Sequence, residues 1–394
     1  MFLLIKDAEL YAPGYMGKRD ILVAGHLIAA VAERIDPAGL PAACRILDAG
    51  GHRVVPGLVD GHVHIIGGGG EGGFRTRTPE LGFLDASLAG VTTVVGVLGT
   101  DGVARSLEAL VAKVYALREE GLSAWCFTGS YAIPVKTLTG EAARDIMLVE
   151  PVIGIGEIAV SDHRSSRPTM EEIARVAAQA RVGGMLSGKA GLVNVHIGDA
   201  PAGLSLLEAI VSAGDIPRSQ FLPTHCNRNP RVLEQAMSWA RAGGRVDFTT
   251  SGAACQPHDG DTSAAGALAR LREDGIPLER STMSSDGQGS LPRFDSEGRL
   301  SGLTVGSCSS LIDAVREATG SFGLPFSEVL ATVTSNPATA LGLAGKGRIE
   351  PGMDADLAIL DDETRVFSVV ARGRILVEAG RALVKGTFDG DDSA

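Results

Sequence analysis

The chain has 394 residues, 44% hydrophobic and 21% charged, which suits a globular protein holding one large α/β barrel plus an accessory domain. A formal net charge of -11 without a long basic run argues against nucleic acid or an anionic membrane as partner. Five scattered cysteines, Cys44, Cys126, Cys226, Cys255 and Cys308, have no paired spacing and suggest neither a disulfide framework nor an all-cysteine zinc site.

The first residues, Met1 to Asp7, turn polar too early for a signal peptide. No apolar run approaches the ~20 residues of a membrane span, so a cytoplasmic setting is expected. Residues 1–55 read as short strands at 3–5, 20–23 and 27–31, broken by Pro13-Gly14 and Gly25-His26. Residues 351–394 have the same texture. Both ends are expected to fold together into one small β-sandwich outside a main domain at 56–350. Within that domain, apolar strands alternate with amphipathic helices, the signature of βα units. After the run ending in His62-Val63-His64, strands are expected at 92–98, 123–131, 152–160, 192–197, 221–225, 246–250 and 282–286. Leu107, Leu110, Val111, Val114 and Leu117 form a helical stripe, and Thr169 with Glu172 forms a capping box. Eight strands in one domain predict a TIM-like (β/α)8 barrel, whose catalysis sits at the C-terminal strand ends.

Polar residues fall at those ends. Residues i and i+2 of a strand share a face, so His62 and His64 project together just before the glycines 67–70. The fourth strand carries Glu157 and runs into Ser161-Asp162-His163-Arg164. The fifth ends in His196, the sixth in His225 and the eighth in Asp286. Alone, His196 or His225 reads as a hydrogen-bonded core histidine; together the set reads as a metal site. Nitrogen and oxygen ligands favour zinc, with manganese, cobalt and iron chemically admissible. So many ligands suggest two Zn2+ ions per subunit. His62, His64 and Asp286 would hold one, His196 and His225 the other, with Glu157 bridging. The glycines 67–70 lack the Lys-Ser/Thr of a phosphate loop and read as close backbone approach to substrate. Cys226 reads as a small buried residue. His26, His52 and His258 lie away from the strand ends, while His163 lies nearer and is expected just behind the ligands.

Several longer runs carry a family likeness. They are Gly61-His62-Val63-His64-Ile65-Ile66-Gly67-Gly68-Gly69-Gly70-Glu71, Thr93-Val94-Val95-Gly96-Val97-Leu98-Gly99-Thr100-Asp101 and Ser161-Asp162-His163-Arg164. Pro223-Thr224-His225-Cys226-Asn227-Arg228-Asn229, Ser284-Ser285-Asp286-Gly287-Gln288-Gly289-Ser290 and the run 347–357 continue it. The chain resembles the amidohydrolase superfamily and, nearly end to end, its isoaspartyl dipeptidase (β-aspartyl peptidase) family. The resemblance implies a metal-dependent dipeptidase that hydrolyses β-aspartyl dipeptides, and a homo-oligomer. It assigns Glu71 to the substrate ammonium, Arg164 and Arg228 to its carboxylates, and Gly69, Thr100 and Ser290 to further substrate contacts. It also implies that the Tyr131 hydroxyl assists the carbonyl oxygen; packing on its own turn is the plainer fate of that tyrosine, as a surface salt bridge is of either arginine.

A water bridging two cations loses a proton readily, and Asp286 can take that proton and pass it to the leaving amine. One departure from the family stands out. Its usual carboxylated lysine on the fourth strand is replaced by Glu157, after a segment one residue longer. Glutamate supplies the same charge with a shorter reach. A Glu157 bridge is expected, either with the strand shifted inward through a bulge at Gly156 or with the second metal bound more weakly; a structural Glu157 beside a single metal is the alternative. Opening of cyclic amides, hydrolysis of N-acyl amino acids, or a catalytically silent barrel scaffold are the competing functions.

Overall fold

Strand Arg53–Pro56 joins the two ends of the chain. The computed structural model describes residues 2–40, 43–252, 262–294 and 300–389; Cys255 and His258 lie outside them. Among the described residues, both chain ends build one nine-stranded sheet. Phe2–Tyr11 pairs parallel with Cys44–Asp48 and with Arg53–Pro56. Arg53–Pro56 in turn pairs antiparallel with Leu357–Leu360, Leu357 opposite Pro56. The sheet buries Ile5, Leu10, Ile21, Val54, Leu357 and Ile359 in a core of its own. Lys346, itself buried, donates to Ser123 at 2.6 Å and Asp356 at 2.5 Å. That contact ties the returning segment to the barrel's third strand, and its charge is balanced by the aspartate.

The chain enters the barrel at Gly57, where a Cβ would overlap the Thr92 side chain, so the backbone passes closer than any other residue permits. Eight parallel strands follow among the described residues: Leu58–Val63, Val91–Gly96, Ser123–Thr128, Val152–Val160, Leu192–Ile197, Phe221–Thr224, Val246–Thr249 and Ser281–Ser284. The first six form a continuous sheet. The Cys226 amide donates to the Asp247 carbonyl at 3.1 Å, and the His64 amide to the Gly287 carbonyl at 2.9 Å. These two links close the ring. The expected (β/α)8 barrel is therefore present, with the terminal sheet set apart from it. The strands are buried on both faces, as continuous Val/Ile/Leu runs require when helices cover a parallel sheet.

Helix Leu107–Glu120 turns Leu107, Leu110, Val114 and Leu117 inward; Ser106 caps its start and Gly121 its end. Helix Met170–Ser187 begins with the expected Thr169–Glu172 capping box. Phe127, Phe221, Phe248 and Trp239 are among the largest fully buried side chains, and a buried Phe contributes about 1.5–3 kcal/mol.

The fourth strand is irregular where the site needs it. Against the fifth strand, Val193 pairs with Ile155 but Val195 pairs with Ile158. Gly156 and Glu157 thus stand opposite Asn194 alone, a bulge at the position expected from the extra residue. A Cβ on Gly156 would meet Asn194 Cβ at 2.8 Å and its carbonyl oxygen at 2.9 Å. Gly156→Ala is expected to cost about 1–3 kcal/mol through this overlap. Gly320→Ala, with open space around it, is expected to be nearly neutral; thermal melts of the two variants check the contrast.

Candidate active site

Four histidines and two carboxylates meet at the C-terminal mouth of the barrel, each delivered by a strand end. Glu157 is fully buried at the centre. Its Oε2 lies 3.2 Å from His196 Nδ1, 3.5 Å from His62 Nε2 and 3.5 Å from His225 Nε2. Its Oε1 lies 3.7 Å from His64 Nε2. Asp286 Oδ1 stands 3.1 Å from His64 Nε2 and 3.8 Å from His62 Nε2. Two of the strand-end residues adopt left-handed backbone, His225 at φ 61° and Asp286 at φ 52°. Such conformations in non-glycine residues cost free energy and gather where function holds them.

The charges within the cluster are mutually dependent. Burial alone would push the Glu157 carboxyl up, but the His62 charge and the close approach of the His196, His225 and His62 imidazoles hold it well below the usual range. Burial likewise opposes a charged His62, yet Glu157 outweighs it and lifts that imidazole to about 9. Asp286 is held at about 2: burial works against its charge, and the close approach of His64 and the other nearby imidazoles overcomes it. His225 is pushed down to about 3 by burial. The centre is thus anionic and gathers positive charge.

Two groups of ligating atoms lie within 4.8 Å of one another: His62, His64 and Asp286, and His62, Glu157 and His225. Four buried polar atoms here have no hydrogen-bond partner: His62 Nε2, His64 Nδ1, Glu157 Oε1 and Asp286 Oδ1. Orphaned buried donors and acceptors are rare, and nitrogen and carboxylate oxygen are ligands zinc accepts. The residues present therefore fit a metal centre. His196 stands in neither group; its Nδ1 faces Glu157 and the Tyr131 hydroxyl, 2.9 Å away, and its Nε2 faces Asp162 Oδ2 at 2.9 Å.

The remaining residues surround this centre. Tyr131 is buried beside His196, and burial raises its phenol well above the usual value. Arg164 stacks over the Tyr131 ring at 5.4 Å, holds Asp162 through two nitrogens and reaches Glu71 Oε1 at 3.1 Å. Arg228 donates to the Ile197 carbonyl at 3.2 Å and stands 3.8 Å from Asp199. Gly69 and Thr100 line a cavity of about 340 Å³. Ser290 stands at the edge of the mouth, its Cβ 2.8 Å from where a Cβ on Gly69 would lie. His163, expected behind the ligands, instead has an 89% exposed side chain: its neighbours Asp162 and Arg164 turn inward, so the residue between them turns out. Cys226 is fully buried, as expected.

Several residues that sequence reasoning passed over hold the ligands. Asn194 Oδ1 is 3.1 Å from His62 Nδ1, and Thr249 Oγ1 is 2.6 Å from His225 Nδ1. Asp60 accepts from the Ser285 hydroxyl and amide, and burial lifts its carboxyl to about 6. Asp247 accepts from Thr224, Thr282 and Ser284 hydroxyls at 2.7, 2.6 and 2.5 Å, cross-linking three strands under the site. Strand alternation carried the signal for two of these: Asp60 and Asn194 precede His62 and His196 by two residues and share their faces.

A parallel barrel whose strand ends gather histidines and carboxylates is the layout of an amidohydrolase-type hydrolase. Comparison with known proteins agrees. Residues 261–387 match the amidohydrolase family. The crystal structure of β-aspartyl dipeptidase from Fervidobacterium islandicum AW-1, in complex with the β-Asp-Leu dipeptide, is 46% identical with a TM-score of 0.90, covering 97% of each chain. Dihydroorotase from Staphylococcus aureus is 38% identical over 105 residues, 27% of this chain. That alignment spans only 23% of the dihydroorotase. Dihydropyrimidinase from Brevibacillus agri, 14% identical with a TM-score of 0.69 over 98% of this chain and 97% of its own, shares the fold. The chain belongs to the isoaspartyl (β-aspartyl) dipeptidase family of the amidohydrolase superfamily, and is a hydrolytic enzyme.

Removing the Asp247 carboxylate leaves three buried hydroxyls without their acceptor, at about 1–3 kcal/mol each. Asp247→Ala is therefore expected to lower the melting temperature far more than Thr282→Val, as read by differential scanning calorimetry.

Proposed function

We propose that this protein is a zinc-dependent dipeptidase that hydrolyses β-aspartyl dipeptides, with Glu157 standing where relatives carry a carboxylated lysine. The observation that carries the reading is the gathering of unpartnered ligating atoms at the strand ends, His62 Nε2, His64 Nδ1, Glu157 Oε1 and Asp286 Oδ1, within two groups of metal-ligand geometry. His62, His64 and Asp286 would hold one ion; His196 and His225 would hold the other, with Glu157 shared. Zinc bound there supplies Lewis acidity toward an amide carbonyl and an acidified water.

The chain's own groups do the rest. Asp286, ionised at neutral pH, accepts the proton of the attacking water and delivers it to the leaving amine. Tyr131 keeps its proton at neutral pH and donates to the carbonyl oxygen as negative charge grows there. The Glu71–Arg164 pair suits a zwitterionic substrate: an α-ammonium replaces Arg164 at Glu71, and a carboxylate replaces Glu71 at Arg164. Arg228 offers a second guanidinium, while Gly69, Thr100 and Ser290 complete the contacts. We read the protein as a homo-oligomer too; the exposed Met147, Leu148, Val182, Met185 and Leu186 on two neighbouring helices support that. No helix among the described residues is long and apolar enough to cross a membrane.

The purified protein is expected to cleave β-Asp-Leu and to leave α-Asp-Leu, dihydroorotate and N-acyl amino acids largely untouched. A chelator should abolish the activity and zinc restore it, with two ions per chain by elemental analysis. Activity indifferent to chelation ends the reading; one ion per chain makes Glu157 structural. Arg228→Glu is expected to lower kcat/KM for β-Asp-Leu on the order of 10²-fold or more, since a repelling charge replaces a paired one.

A further inference from the structure

Asp162 lies between the two halves of the site and belongs to neither as assigned above. It follows the fourth strand, its side chain is 3% exposed, and it accepts four hydrogen bonds. Oδ1 accepts from the Arg164 amide at 2.8 Å and Arg164 Nε at 2.9 Å. Oδ2 accepts from Arg164 Nη2 at 2.8 Å and from His196 Nε2 at 2.9 Å. Arg164 Nη2 and His196 Nε2 are 3.4 Å apart; both point their hydrogens at the same oxygen.

The chemistry of these partners is restrictive. A carboxylate only accepts, so the His196 proton sits on Nε2. With Nε2 anchored in this way, Nδ1 is the nitrogen left to turn toward a metal; in this structure it faces Glu157 Oε2 at 3.2 Å and the Tyr131 hydroxyl at 2.9 Å. Among the described cluster histidines, His62 and His225 are held instead through Nδ1, by the neutral Asn194 and Thr249. Of these three, His196 alone is held by an anion outside the set of candidate metal ligands, and by the opposite nitrogen. A carboxylate behind a ligating imidazole fixes its tautomer and raises its basicity, and losing such a partner costs 10–100-fold in metal affinity.

We infer that Asp162 is a positioning residue that sets two things at once: Nδ1 of His196 as the nitrogen offered to a metal, and the fork of Arg164 as the grip on the substrate carboxylate. The inference rests on the zinc-dipeptidase reading above. One anion thereby joins metal retention to substrate recognition, although it touches neither metal nor substrate itself.

The test titrates zinc into chelator-stripped wild type, Asp162→Ala, Asp162→Asn and Arg164→Ala, and measures KM and kcat for β-Asp-Leu with each variant zinc-loaded. Asp162→Ala is expected to weaken zinc binding about 10–100-fold and to raise KM. Asp162→Asn retains one acceptor oxygen for His196 but turns an NH2 toward Arg164. Its zinc affinity should stay within about threefold of wild type while KM rises about tenfold or more. Arg164→Ala should raise KM with zinc affinity unchanged. Should Asp162→Ala not fold, the Asn variant decides: raised KM with intact zinc supports the inference, and unchanged KM or lost zinc overturns it. Folded Asp162→Ala that binds zinc as wild type does also overturns it. A wild type that takes up no zinc brings down the functional reading with it.

Discussion

A buried carboxylate surrounded by imidazoles sets the terms for everything at the mouth of this barrel. An isolated ionised glutamate at the position of Glu157 would cost several kcal/mol in desolvation. It is stable there because His196, His62, His225 and His64 approach within 3.2–3.7 Å. The dependence is mutual, since His62 is lifted to about 9 largely by that same glutamate. The geometry that makes this possible is local. One extra residue on the fourth strand, opened as a bulge against Asn194, carries the glutamate to the point where three strands aim their four histidines.

Around that centre lies an outer set of charges suited to a small zwitterion. Arg164 is paired with both Asp162 and Glu71, so in the free protein the substrate-facing charges satisfy one another. On the proposed reading, specificity would come from exchange: a ligand would have to bring both an ammonium and a carboxylate to replace the pair without leaving a charge unmet. Beneath the site, Asp247 and Asp60 cross-link strand ends through hydroxyls and a main-chain amide. The ligating side chains are therefore mounted on a base that resists small displacements, which catalysis at this scale requires.

Much of this could be read from the residues. The eight barrel strands followed from apolar runs with β-branched residues, and His62, His64, His196, His225 and Asp286 stood out because each closes such a run. That the two strand-rich ends fold together followed from each being too small to bury a core alone, whereas the particular pairing of Arg53–Pro56 with Leu357–Leu360 did not. What was hidden depends on direction rather than position. His163 was expected near the ligands because it adjoins them in sequence, yet alternating side chains after the fourth strand send Asp162 and Arg164 inward and His163 out. Asp162 itself passed unremarked, since nothing in one dimension shows that its oxygen would meet a histidine 34 residues later. Thr249 was equally silent: a threonine at a strand end is commonplace until the ring opposite it is known.

The terminal sheet has a bearing on how the chain comes to be folded. Strand Arg53–Pro56 must wait for Leu357–Leu360, about 300 residues downstream, before its outer edge is paired. During synthesis, the early strands leave the ribosome with an unsatisfied edge and a half-covered apolar face while the whole barrel is still being made. Sheet edges in that condition recruit other chains, and pairings this distant in sequence form slowly. For this protein the vulnerable interval in the cell is thus the time between the first strand and the last, when a chaperone's shelter counts most.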